Sequence, residues 1–226
     1  MDIIITGAGK GIGFELVKLF LQQKNNRIIG ISRDISSLEK LQAAQLYTIQ
    51  ADLNEPKTYN SLLDKLQQMN FRPGLLVNNA GSLVNKSFDA LSDGDFDLLF
   101  DTNVKAVFRM VKALLPHFAP DAHILNIGSM GGFQGSAKFA GLSLYSASKA
   151  ALAVMTECMA EEFKDRGIKA NCLALGAAQT EMLSQAFPGY KAPVSAAEMA
   201  GFIADFARSG HHYFNGKILP VSVSTP

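Results

Sequence analysis

Seven glycine-punctuated residues, Gly7-Ala8-Gly9-Lys10-Gly11-Ile12-Gly13, constrain this chain more than any other stretch. They follow Ile3-Ile4-Ile5-Thr6, which has the pattern of a short buried strand. They precede Phe14, Leu16, Val17, Leu19, Phe20 and Leu21, which repeat with helical period. Strand, glycine turn and helix in that order let the backbone approach a pyrophosphate, and the helix start offers free N–H groups and a positive dipole end. A merely tight turn is the bland alternative, and the flanking elements argue against it.

The same alternation continues along the chain. Strand-like runs occupy Arg27 to Ser32, Leu46 to Gln50, Gly74 to Val77, His123 to Ile127, Ile168 to Leu175 and Lys217 to Val223. Helical patterns cover Ser36 to Ala44, Pro56 to Met69, Asp97 to Phe118, Tyr145 to Phe163 and Ser195 to Arg208. Strands alternating with helices predict an α/β fold, a doubly wound and mostly parallel sheet with helices on both faces. At 226 residues the chain suits one domain spanning 1–226. Residues 176–193 lack periodicity, and a long irregular segment in a compact domain is more often a lid or substrate loop than filler.

Bulk properties narrow the function classes. A net charge of +1, with both signs interspersed, argues against a nucleic-acid surface or an anionic-membrane anchor. No apolar run approaches the ~18 residues that span a bilayer, and Met1-Asp2 leads straight into a strand with no leader pattern. Cys158 and Cys172 read as small buried apolar residues rather than a disulfide. His117, His123, His211 and His212 have no metal-ligand spacing, so no metal is expected. The expectation is a cytoplasmic protein.

Chemistry concentrates at Tyr145-Ser146-Ala147-Ser148-Lys149. Residues four apart share a helix face, so the phenol and the ammonium are expected side by side. A cation about 4 Å from a phenol, at an effective dielectric near 20, favours the phenolate by roughly 4 kcal/mol. That predicts a tyrosine tuned by Lys149 toward physiological pH from its ordinary value of about 10. At the end of the second strand, Ser32 stands where NAD enzymes usually carry a carboxylate, Arg33 follows, and Lys10 adds a cation on the same side. Two cations favour a 2′-phosphate and hence NADP; Asp34 turned inward would favour NAD instead. Asp52-Leu53 could meet an adenine, although a plain turn fits as well. Asn78-Asn79-Ala80-Gly81 permits close backbone approach to a ligand. Asn103 is a poor residue for a helix interior, and its amide could bond backbone and disturb the ladder.

Together these stretches resemble the short-chain dehydrogenase/reductase family, from Ile3 to about Val221. Thr6 to Gly13 is similar to its TGxxxGIG turn, Asp52-Leu53 to its adenine contact and Asn78 to Gly81 to its NNAG strand end. Asn103, Ser129, Tyr145 and Lys149 fall in the order of its catalytic tetrad. The resemblance implies a Rossmann-like fold and an oxidoreductase that moves a hydride between nicotinamide and a carbonyl/alcohol pair. Tyr145 would be the general acid/base, Ser129 would hydrogen-bond the substrate oxygen, and Lys149 would hold the nicotinamide ribose. Asn103 would hold a water that relays protons to Lys149. Gly7, Lys10, Gly11, Ile12, Gly13, Arg33, Asp52, Leu53, Asn79, Ala80 and Thr180 would complete the cofactor contacts with Tyr145 and Lys149.

Three departures from the family pattern stand out. Leu175 replaces the usual Pro in the segment Asn171 to Thr180. The loop between Ser129 and Tyr145 is longer than usual. Val221-Ser222-Val223-Ser224 replaces a VDGG end, which leaves a homodimer or a homotetramer as the expected assembly. Met130, Phe133, Phe139, Leu142, Met182 and Phe187 suggest a modest, largely apolar small-molecule substrate. A dinucleotide-sensing or scaffold protein without turnover is the rival from another class, and an epimerase or dehydratase of the same fold is a third reading.

Overall fold

The computed structural model describes residues 1–223; Ser224, at the end of the altered VDGG stretch, lies outside the described residues. In order, the elements are β1 (Asp2–Thr6), α1 (Gly11–Leu21), β2 (Arg27–Ser32), α2 (Ser36–Glu39), β3 (Leu46–Gln50) and α3 (Lys57–Met69). Next come β4 (Pro73–Asn78), α4 (Asp93–Phe100), a π-helical turn (Asp101–Lys105), α5 (Ala106–Leu114), β5 (His123–Ser129) and α6 (Ser143–Glu162). The chain closes with β6 (Lys169–Leu175), β7 (Ala178–Gln179), α7 (Glu181–Ala186), β8 (Val194–Ser195), α8 (Ala196–Ser209) and β9 (Ile218–Val221).

Seven strands form one sheet in the order β3-β2-β1-β4-β5-β6-β9, and every neighbouring pair is parallel. This is the doubly wound α/β architecture that the alternation of strands and helices predicts. Parallel strands covered on both faces are apolar at consecutive positions, and successive side chains point to opposite faces. Ile4 accordingly packs with Leu62, Met110 and Leu114 on one side. Ile3 and Ile5 pack with Leu16, Phe20 and Ile203 on the other. Full burial of each such side chain contributes about 1.5–3 kcal/mol.

Three segments differ from the expectations. α2 stops at Glu39 instead of Ala44, and Gln42 adopts a left-handed φ of 47° that no helix continues through. The helix expected from Asp97 starts four residues earlier. Ser92 and Asp95 form a reciprocal capping box there, which satisfies otherwise orphaned N–H groups. That same helix is interrupted at Asn103 by the π-helical turn. Residues 176–193 are partly ordered: Thr180 caps α7 by accepting from Leu183 N–H at 3.2 Å, and β7 pairs with β8. Cys172 is buried as expected, whereas Cys158 is exposed.

Candidate active site

Strand order reverses between β1 and β4, the switch point at which open α/β sheets leave a crevice beyond their carboxyl ends. A cavity of about 650 Å³ occupies that crevice. Its wall takes residues from the ends of β1, β2, β4, β5 and β6 and from the segment carrying α7.

One half is polar and glycine-lined. Gly7, Lys10, Gly11 and Ile12 line it, opposite Asn79, Ala80 and Thr180. The turn is locked to β4 through Thr6, whose hydroxyl accepts from the N–H groups of Asn79 and Ala80 at 3.1 Å each. Asn79 Nδ2 returns bonds to the carbonyls of Thr6 (3.1 Å) and Gly7 (3.2 Å). Gly13 does not line the cavity. It lies beneath the turn, where a Cβ would collide with the Gly7 carbonyl and stand 2.6 Å from Asn79 Nδ2. Its glycine character preserves the shape of the turn.

Ser32, Arg33, Asp52 and Leu53 continue the wall where β2 and β3 end. Asp34 is absent from it. Its carboxylate accepts from Ser36 N–H at 2.9 Å, a bond that holds it below the usual carboxylate range, and its backbone closes over Gly9. Asp52 Oδ1 accepts from Asn54 N–H at 2.9 Å, so this residue also shapes its own turn.

The other half is largely apolar. Met130, Phe139, Leu142, Met182, Leu183 and Phe187 line it; Phe133 does not. Leu83 and Tyr190 belong to the same wall and carried no sequence signal beyond their position in loops.

Ser129, Tyr145 and Lys149 line the cavity together. Ser129 ends β5, and its hydroxyl accepts from Gly131 N–H at 3.1 Å. Tyr145 is half-buried, and desolvation pushes its phenol above the ordinary value, while a hydrogen bond with Ser129 pulls the other way. Lys149 does not tune it as expected. Its ammonium donates to the Ile127 carbonyl at 2.8 Å, and burial lowers its own pKa to about 8. Burial sets the direction at both groups, against the Ser129 hydrogen bond at Tyr145.

Asn103 is fully buried and stands behind the cavity wall. Its Oδ1 accepts from Ser82 N–H at 2.8 Å; its Nδ2 donates to Ser82 O at 3.0 Å and to Ser148 Oγ at 2.9 Å. Ser148 in turn donates to the Tyr145 carbonyl at 2.8 Å. The amide is thus bonded to protein partners through both its oxygen and its nitrogen. It ties the loop after β4 to the first turns of α6, and Gly81 lies between its Oδ1 and the Lys149 ammonium.

No group of three or more His, Cys, Asp or Glu suited to a metal occurs among the described residues, and none of their helices is long and apolar enough to cross a membrane.

Comparison with known proteins places this geometry. A family model described as short chain dehydrogenase matches residues 2–191. The 3-oxoacyl-[acyl-carrier-protein] reductase FabG of Escherichia coli (strain K12) is 26% identical, over 97% of this chain and 94% of its own. The solved structure of ElxO with NADP bound is similar at TM-score 0.84 and 25% identity, covering 98% of this chain and 96% of that one. A 4-hydroxyisoleucine dehydrogenase complexed with NADH is similar at TM-score 0.86 and 23% identity, again covering 98% and 96%.

Proposed function

The chain belongs to the short chain dehydrogenase family, and from that premise we propose that it is an NADP-dependent reductase of small, largely apolar carbonyl compounds. The observation that carries this reading is one cavity lined both by Lys10 and Arg33 and by Ser129, Tyr145 and Lys149.

The residues present fit a nicotinamide dinucleotide. Side chains at Gly9 or Gly13 would fill the close contacts that shape the turn, and the α1 N-terminus offers N–H groups to a pyrophosphate. Gly7, Gly11, Ile12, Asn79, Ala80 and Thr180 would hold the dinucleotide along its length, with Asp52 and Leu53 at the adenine. Arg33 and Lys10 would pair with a 2′-phosphate. Asp34, the carboxylate that would favour a free ribose hydroxyl, is bonded to Ser36 and stays out of the wall. When bound, the cofactor supplies the hydride.

The protein's own groups supply the rest. Ser129 would hold the substrate oxygen and so fix the carbonyl carbon. Tyr145 would give its proton to that oxygen; burial keeps the phenol protonated, so the proton is in place, while the hydrogen bond with Ser129 favours its release. Lys149, with a pKa near 8, can lose a proton in the physiological range and would reload the tyrosine while holding the ribose. Asn103 would act as a positioning residue by fixing Ser82 and Ser148. We place the enzyme in the cytoplasm as a homodimer or homotetramer, with residues 1–226 as one domain and 176–193 as its substrate loop.

NADPH oxidation followed at the reduced-nicotinamide absorbance band, over a panel of aldehydes and ketones, tests the proposal. Tight NADPH binding with no turnover on any carbonyl would instead support a dinucleotide sensor.

A further inference from the structure

The lid is fastened at its base and at its far end by different devices. At the base, β7 pairs with β8, and Gln179 spans the opening: its Nε2 donates to Ser184 Oγ and its Oε1 accepts from Ala192 N–H, each at 2.9 Å. At the far end, Asn85 Nδ2 donates to the carbonyl of Ala186, the last residue of α7, at 2.9 Å. The next residue, Phe187, lines the apolar half of the cavity, as do Met182 and Leu183.

Asn85 is held in place from a third direction. Gly141 has φ of 85°, and a Cβ there would collide with Asn85 Oδ1, so the amide rests directly on the loop leading into α6. Lys86 N–H donates to Gly141 O at 3.1 Å, and the Lys86 ammonium pairs with Asp95 at 2.7 Å. The loop after β4, the loop before α6 and the lid therefore meet at one side chain, and the residues that follow its two partners, Leu142 after Gly141 and Phe187 after Ala186, line the cavity.

We propose that Asn85 is a positioning residue that latches the lid over the substrate half of the cavity and thereby sets substrate retention. The role rests on the reductase reading above for its kinetic consequence, though not for its structural one. One hydrogen bond of this kind is worth about a three- to tenfold shift in an opening equilibrium. Breaking it would loosen α7 while leaving Tyr145, Ser129 and the glycine turn in place.

The test uses the full chain with Asn85→Ala and Asn85→Asp, the second keeping the size and removing the N–H donor. Amide hydrogen exchange in peptides covering 183–190 should quicken about three- to tenfold. With NADPH and acetophenone, or the best apolar ketone of the panel, KM should rise by a similar factor, while single-turnover hydride transfer at saturation stays within about twofold. Gly141→Ala, which displaces the amide, should reproduce the exchange change without adding to it. Lid exchange within about twofold of the parent, or faster exchange spread equally over β4 and β5, would overturn the latch. Absence of turnover on every carbonyl would sink the reductase reading alone, since the exchange experiment decides the latch without it.

Discussion

Asn103 grips Ser82 with both ends of its amide, accepting from the Ser82 N–H at 2.8 Å and donating to the Ser82 carbonyl at 3.0 Å. The remaining amide hydrogen goes to Ser148 on α6. A buried side chain that satisfies three polar groups at once is costly to remove, since each partner is left desolvated and unpaired.

Asn103→Leu should therefore destabilise the fold by about 2–4 kcal/mol, read as a shift in the urea midpoint at unchanged slope. Residual activity of the folded variant should fall as well, because Ser82 and Ser148 brace the Lys149 and Tyr145 segments. A fully stable and fully active variant would contradict the bracket.

Tyr145→Phe removes the proposed proton donor while retaining the ring. Turnover should drop at least 10²-fold, the usual scale for losing a general acid. NADPH affinity by fluorescence titration should stay within about threefold. A variant that keeps its rate would require another acid at the cavity.

Arg33→Ala should weaken NADPH about tenfold or more, the worth of a hydrogen bond between charged groups, and leave NADH nearly unaffected. Equal losses for both cofactors would remove the 2′-phosphate contact from the proposal.

His123, at the start of β5, predicts a specific acid instability. Its Nδ1 lies 3.2 Å from the Ala207 carbonyl and its Nε2 3.2 Å from Asn171 Nδ2, a pattern that fits the neutral ring. Burial above all lowers its pKa to about 4, and His211 and His212 add to the effect. A base whose folded pKa is depressed binds fewer protons folded than unfolded. Stability is thus intact above about pH 6.5 and lost as pH falls from there to about 4, by roughly 3 kcal/mol in all. Unfolding midpoints across that window should show this slope in the parent and a flatter one in His123→Gln.

Much of this molecule could be read from its residues alone, for a physical reason. Runs such as Ile3 to Ile5 and Leu75 to Val77 are buried on both faces, so local pattern and tertiary demand agree there. The glycine turn was legible because close backbone approach leaves no alternative residue at Gly13. What escaped depended on side-chain direction. Spacing puts Tyr145 and Lys149 on one face of α6, yet cannot say that the Ile127 carbonyl captures the ammonium. Nor can it say that Asp34 turns back to Ser36. The π-helical turn was half visible: Asn103 signalled a disturbed ladder, but not its partner Ser82, 21 residues earlier. One missed signal was local, since Ser92 and Asp95 spell a capping box.

The pairing of β7 with β8 brings both ends of the lid to one point on the framework. Everything between them is a detachable tongue whose length and lettering can drift without straining a single rung of the main sheet. The fourteen positions 180–193 can thus change while the seven parallel strands keep their register.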